Sequence, residues 1–151
     1  MLNRSRLAFV LTFVLWLFLA FPSHGELGRV KRVIDGDTLR LSTGERVQLI
    51  GVDTPETKHP KKAVQRFGRE AYLFSKRMVE GKEVRLEYDL QRKDRYGRTL
   101  AYLYLLDRTI LNADIIKQGY GFAYAKFSFK YLEEFRRYER EAKENRRGLW
   151  K

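Results

Sequence analysis

Between Leu27 and Leu106 the chain is written in short apolar segments separated by turn residues, with one helical stretch in the middle, and this pattern restricts the fold more than any other feature. Val30 to Ile34 reads as a strand ending at Asp35-Gly36-Asp37. Thr38-Leu39-Arg40-Leu41 alternates, Ser42-Thr43-Gly44-Glu45 is a turn, and Arg46 to Val52 forms the next strand. The spacing predicts a helix from about Val64 to Glu80, with Phe67, Ala71, Phe74 and Met78 on one face and Gly81 as its stop. Glu83 to Asp89 and Thr99 to Leu106 are the fourth and fifth strands, joined by the charged loop 91–98. Asn112 reads as a helix N-cap, with Leu111 and Ile116 as its hydrophobic staple and Gly119 as its stop. The last helix runs from about Phe129 to Arg147 with Leu132, Phe135, Tyr138 and Ala142 inward. Three strands, a helix, two strands and further helices predict an α+β chain, mainly β: a five-stranded OB-fold barrel with three packed helices.

Residues 1–25 stand apart from this domain. Arg4 and Arg6 precede an apolar run, residues 7–21, broken only by Thr12, and Pro22-Ser23-His24-Gly25 supplies small residues for cleavage after Gly25. At 15 residues the run is shorter than the roughly 20 a spanning helix needs. The segment predicts export, as a signal peptide to a secreted or periplasmic protein, or as an uncleaved anchor attaching the chain to the membrane through residues 7–21. Residues 26–151 form one domain, expected to be monomeric, and no protein partner is implied.

The formal charge of +12 and the pI near 10.0 point to polyanionic partners. Aromatic residues make up 14% of the chain and interleave with the basic ones, which adds the stacking surfaces that unpaired nucleic acid requires. With no cysteine, disulfides, thiolate catalysis and thiolate zinc sites are excluded. The two histidines are far apart, so any metal is held by oxygen ligands, which favours calcium, magnesium or manganese.

Asp53-Thr54-Pro55-Glu56-Thr57 ends the third strand, because Pro55 has no amide hydrogen and fixes its own φ. Folding the chain back at Thr43-Gly44 brings Asp37 towards Asp53, sixteen residues later. Two carboxylates meeting at one end of a sheet either raise each other's pKa or hold a cation.

Ile34-Asp35-Gly36-Asp37-Thr38, Val52-Asp53-Thr54-Pro55-Glu56-Thr57 and Asp94-Arg95-Tyr96-Gly97-Arg98 occur in the order and spacing of the staphylococcal nuclease-like (thermonuclease) family, which the chain resembles from about Leu27 to Trp150. The resemblance implies a calcium-dependent phosphodiesterase that hydrolyses DNA and RNA, preferably single-stranded, to 3′-phosphate products. It implies Asp37 and Asp53 as Ca2+-ligating carboxylates, Thr54 as a backbone-carbonyl ligand, and Asp35 as an acid supporting the site through water. Glu56 matches the carboxylate that activates water, and Arg98 the arginine that stabilises the transition state. Arg95, Tyr96 and Tyr124 match positions that contact a terminal phosphate or stack on a base, and Lys62 lies in a basic loop on the substrate side. The sequence departs from the family at one place. The position five residues before Asp53, usually an arginine that clamps the phosphate, is Gln48, with Arg46 two residues earlier on the same strand face. The departure leaves an alternative open, a non-catalytic or weakly active OB-fold protein that binds nucleic acid.

Overall fold

Glycine at position 51 decides how the third strand ends. The computed structural model describes residues 25–57 and 65–151. In it the strand expected over Arg46 to Val52 is two strands, β3 (Arg46–Leu49) and β4 (Val52–Asp53), separated by a turn in which Gly51 has φ +73°. A side chain is strained at that φ, and a Cβ on Gly51 would also fall 2.5 Å from the Phe129 ring.

The first strand, β1 (Glu26–Asp35), is longer than the alternation from Val30 suggests. Its first half pairs with β5 (Glu83–Glu87) and its second half with β2 (Thr38–Leu41), with irregularities after Val30 and Val33 that bend it between the two. Its opening residues lack an apolar alternation because Leu27 is 74% exposed and Gly28 meets Leu41 and Leu86 without a side chain of its own. β2 pairs with β3 antiparallel, β3 with β6 (Thr99–Tyr104) in parallel, and β6 with β5 antiparallel. These pairings close a five-stranded barrel in the order β1-β2-β3-β6-β5, so the α+β, mainly β OB-type architecture expected from the sequence is the one observed.

Alternation sends Val30, Val33, Leu39, Leu41, Val47, Leu49, Val84, Leu86, Ala101 and Leu103 into the barrel, all at most 5% exposed. Three helices pack outside: α1 (Gly68–Val79), α2 (Leu111–Lys117) and α3 (Leu132–Glu144), the first and last shorter than expected. α1 buries Ala71, Ser75 and Val79, a stripe turned from the one read in the sequence, with Phe74 and Met78 only partly covered at its flank. Phe67 sits just before it in the left-handed region at φ 72°, stacked 5.5 Å from Tyr120. Asn112 is not the N-cap of α2. That position is Ile110, and Asn112 lies within the helix, fully buried. Its Oδ1 accepts from the Leu103 amide at 3.0 Å and its Nδ2 donates to the carbonyls of Ile50 at 2.9 Å and Ala101 at 3.2 Å. The side chain therefore completes the backbone bonding of the barrel where β3 has ended.

Among the described residues no helix is long and apolar enough to cross a membrane. The 1–25 segment, apart from Gly25, and residues 58–64, which include Lys62 and the expected start of the first helix, lie outside the described residues.

Candidate active site

Pairing across the hairpin does not by itself bring the two aspartates together. Thr38 is opposite Gln48, and the Leu49 amide donates to the Asp37 carbonyl at 2.9 Å, so Asp37 faces the end of β3. The turn at Ile50-Gly51 takes the chain out of the barrel, and β4 then runs against β7 (Phe122–Ala123), with Asp53 opposite Phe122. The Thr54 amide thereby returns to donate to Asp37 Oδ2 at 3.3 Å. Close packing holds the turn in place. A Cβ on Gly36 would lie 2.6 Å from Thr54 Oγ1, and one on Gly121 2.9 Å from the Asp53 carbonyl. Asp35 ties the two motifs together, accepting from the Gly36 amide at 2.9 Å and from Thr57 Oγ1 at 3.0 Å. From outside, Ser75 Oγ on α1 donates to the Gly36 carbonyl at 2.5 Å.

The electrostatics are those of a site short of positive charge. Burial pushes the Asp37 carboxyl up to about 6, against the lowering effect of its hydrogen bonds from Thr38 and Thr54, and Asp35 raises it further. Asp53 is also raised, first by burial and then by Glu56, with Lys126 opposing. Glu56 is exposed, and its carboxylate accepts no hydrogen bond among the described residues, although its amide is held by Gln65 Oε1 at 2.9 Å.

Would these residues suit a calcium ion? The donors are all hard oxygens: the carboxylates of Asp37 and Asp53 and the carbonyl of Thr54. Thr54 Oγ1, on a residue 4% exposed, has no hydrogen-bond partner among the described residues, so an oxygen is already desolvated beside Asp37. Burial that disfavours a lone carboxylate favours one paired with a divalent cation. Among the described residues no three metal-ligating side chains converge, so two carboxylates would be completed by carbonyl, water and substrate oxygens. The donor chemistry fits calcium, loosely held.

Arg98 reaches the same face from the hairpin between β5 and β6. Asp94 anchors it, accepting from Arg98 Nε at 2.6 Å and from its amide at 3.0 Å. That pairing holds the Asp94 carboxyl below the usual carboxylate range even though burial acts the other way. Gln48 completes the connection. Its Oε1 accepts from Arg98 Nη1 at 2.5 Å, and Thr38 Oγ1 lies between Gln48 Oε1 at 2.8 Å and Asp37 Oδ1 at 3.0 Å, its one hydrogen serving either acceptor in turn. A continuous set of contacts thus runs from the Thr54 amide through Asp37, Thr38 and Gln48 to Arg98. Arg46 is paired in register with Arg40, one row from Gln48.

Tyr96 is 68% exposed beside Arg98, its ring 5.5 Å from that guanidinium and 4.7 Å from that of Arg95, whose Nη2 donates to the Tyr96 hydroxyl at 2.6 Å. Tyr124 is partly buried next to the turn, its amide donating to the Gly51 carbonyl at 3.0 Å and its ring 6.1 Å from Phe127. Direct contacts therefore link Asp37 with Thr54, Thr38, Gln48 and Arg98, and Asp35 with Thr57, while Asp53 and Glu56 flank Thr54 on the same turn and sense each other's charge, with Arg95 and Tyr96 on the Arg98 side and Tyr124 beside the Gly51 turn. Lys126 is the residue that sequence reasoning missed. Its charge opposes the rise in the Asp53 pKa, and its ammonium lies 5.6 Å over the Tyr124 ring.

Comparison with known proteins agrees with this geometry. The family model described as staphylococcal nuclease homologue matches residues 46–151. The chain is 43% identical over 128 residues to the thermonuclease of Staphylococcus hyicus, across 81% of this chain and 74% of that protein. It is 44% identical over 133 residues to the thermonuclease of Staphylococcus intermedius, across 84% and 77% respectively. The endonuclease YncB of Bacillus subtilis (strain 168) is 38% identical over 127 residues, 79% of this chain and 59% of that protein. A closed barrel carrying an acidic turn and an anchored arginine on one face, matched over most of its length by these relatives, places the chain in the staphylococcal nuclease family.

Proposed function

We propose that the protein is a calcium-dependent phosphodiesterase that hydrolyses DNA and RNA, preferring unpaired strands, and leaves 3′-phosphate and 5′-hydroxyl ends. The observation that carries this reading is the line of close polar contacts from the Asp37 carboxylate past Thr38 Oγ1 and Gln48 Oε1 to the Arg98 guanidinium. It fixes an oxygen-donor pocket and a forked cation on one face, the two elements phosphodiester hydrolysis requires.

Glu56, exposed and free of hydrogen bonds to its carboxylate among the described residues, takes a proton from water as that water's oxygen attacks phosphorus. The phosphorus bond to the 5′ oxygen breaks, the released oxygen takes a proton from solvent water, and Glu56 returns its own to solvent. Arg98 donates to the phosphoryl oxygens as negative charge builds on them, and Asp94 and Gln48 hold its guanidinium beforehand, so little reorganisation is needed. The Asp37 and Asp53 carboxylates and the Thr54 carbonyl would hold calcium, which when bound would supply Lewis-acid neutralisation of the same phosphoryl charge. Tyr96 and Arg95 receive the neighbouring phosphate, and Tyr124 offers a ring for a base. End-group analysis of the products tests the chemistry. New 5′-hydroxyl termini that a kinase can label directly are expected, and new 5′-phosphate termini would overturn the assignment.

A second reading rests on Gln48, which carries no charge where the family has arginine. On that reading the barrel binds nucleic acid with little or no turnover, and Gln48→Arg raises cleavage on the order of 10²-fold. The catalytic reading expects no such gain, because arginine at 48 would remove the acceptor that Arg98 and Thr38 share.

Export is also proposed, from the basic and apolar character of residues 1–25, with a single monomeric domain over 26–151. Mass measurement of the chain recovered outside the cell should show an N-terminus at Glu26. A full-length chain confined to the membrane fraction would favour the anchor through residues 7–21.

A further inference from the structure

Three arginines face one another on adjacent strands. Arg32 on β1 is opposite Arg40 on β2, and Arg40 is opposite Arg46 on β3. Residues directly opposite in antiparallel strands share a face, and because Leu39, Leu41, Val47 and Leu49 fill the barrel, that face is the outer one. It is also the face of the candidate active site, since Thr38 and Gln48 lie two residues from Arg40 and Arg46. Arg98 immediately precedes Thr99, the parallel partner of Val47, so it stands beside Arg46 at the end of the same row.

Like charges placed directly opposite destabilise a sheet. None of Arg32, Arg40 and Arg46 belongs to an ion pair among the described residues. Arg40 Nε is buried with no hydrogen-bond partner among those residues. Such a row lacks an internal structural explanation and suits an external polyanion. Three inter-strand steps of about 4.8 Å give roughly 14 Å from Arg98 to Arg32, room for roughly two to four phosphates at a rise of 3.4 Å or more per nucleotide.

We propose that Arg46, Arg40 and Arg32 form a track for the phosphate backbone of a single-stranded nucleic acid, leading away from Arg98 across β3, β2 and β1. The track deepens the nuclease reading and rests on it for its substrate. It would make the protein prefer long strands over short ones, because a mononucleotide diester engages Arg98 and leaves the row unused.

Two measurements test the track. The first is binding of a single-stranded DNA of about 20 nucleotides, longer than the roughly 4–16 an OB fold covers, in chelator at several salt concentrations. Each phosphate contact contributes about 0.7 to the slope of log Kd against log salt. Arg32→Gln/Arg40→Gln/Arg46→Gln is expected to lower that slope by about 2, and the corresponding triple lysine variant to keep it. If the triple glutamine variant does not fold, Arg46→Gln alone, at an exposed position, should lower the slope by about 0.7. The second is the ratio of kcat/KM for the long strand to that for a chromogenic mononucleotide diester, which should fall about tenfold or more in the triple glutamine variant. An unchanged slope together with an unchanged ratio would overturn the track, as would binding to phosphatidylglycerol vesicles but not to the oligonucleotide. A wild-type chain that binds with the expected slope yet cleaves neither substrate would keep the track and overturn the nuclease reading.

Discussion

Gln48 shows most clearly what one side chain does here. Sequence comparison with the family marks it as a lost clamp, since a neutral amide replaces a guanidinium. In the fold its Oε1 accepts from both Arg98 and Thr38, so it orients the remaining cation. A hydrogen bond to a charged group contributes about 1.5–3 kcal/mol. Gln48→Ala should therefore lower kcat/KM roughly ten- to hundredfold while leaving the circular dichroism spectrum unchanged, and steady-state kinetics on single-stranded DNA will show whether it does. Two substitutions address the reacting groups. Glu56→Gln keeps the size of the side chain and removes the base, with an expected loss in kcat of about 10²–10⁴-fold. Arg98→Lys keeps the charge but cannot bond Asp94 and Gln48 together, and should lose about 10²-fold or more. The identities of these residues were legible in the sequence because the motifs are short and contiguous. The contact between Gln48 and Arg98 was not, because it joins residues fifty positions apart whose pairing depends on the parallel β3–β6 closure.

At the scale of elements, the hairpin and the helical segments could be read from alternation and spacing, whereas the places where the chain departs from regularity could not. Gly51 looks like an ordinary glycine within an apolar run, and only the packed fold shows that its positive φ divides β3 from β4 and returns Thr54 to Asp37. Asn112 has the composition of a helix cap, yet it bonds backbone groups of the barrel instead. The distinction depends on the Ile50 and Leu103 groups it meets, which are distant in sequence. Truncation to Asn112→Ala leaves those two buried groups without partners, at about 1–3 kcal/mol each. Urea unfolding should show a loss of at least about 2 kcal/mol, and a loss within experimental error would contradict the assigned bonding. α1 acts on the site through Ser75. Ser75→Ala leaves the Gly36 carbonyl unsatisfied, so a destabilisation of about 1–3 kcal/mol should accompany weaker calcium binding, measured by calorimetry.

The whole molecule combines a few hydrogen-bonded carboxylates that favour the fold when ionised, in contrast to Asp37 and Asp53 at the site, with a surface that carries excess positive charge. Asp89 illustrates the first property. Burial raises its pKa, but hydrogen bonds from the Tyr102 hydroxyl and from the Lys130 and Leu90 amides prevail and hold the carboxyl below its ordinary value. A depressed folded pKa stabilises the fold fully above the unfolded value near 4, and that contribution is lost as pH falls through the folded value. Thermal unfolding should therefore show Tm falling below about pH 4, less steeply in Asp89→Asn than in the wild type. The net charge of +12 was visible at once in the composition, but its placement was not. Only the strand register shows arginines aligned across three strands beside the proposed catalytic arginine.

The central claim is that the carboxylate pocket and Arg98 form one calcium-dependent phosphodiesterase centre. Cleavage of single-stranded DNA by the purified protein, in calcium and then in excess chelator, tests it most directly. The account predicts cleavage with calcium and its loss with chelator, restored when calcium is returned. Cleavage undiminished in chelator, or no cleavage at any calcium concentration, would contradict it.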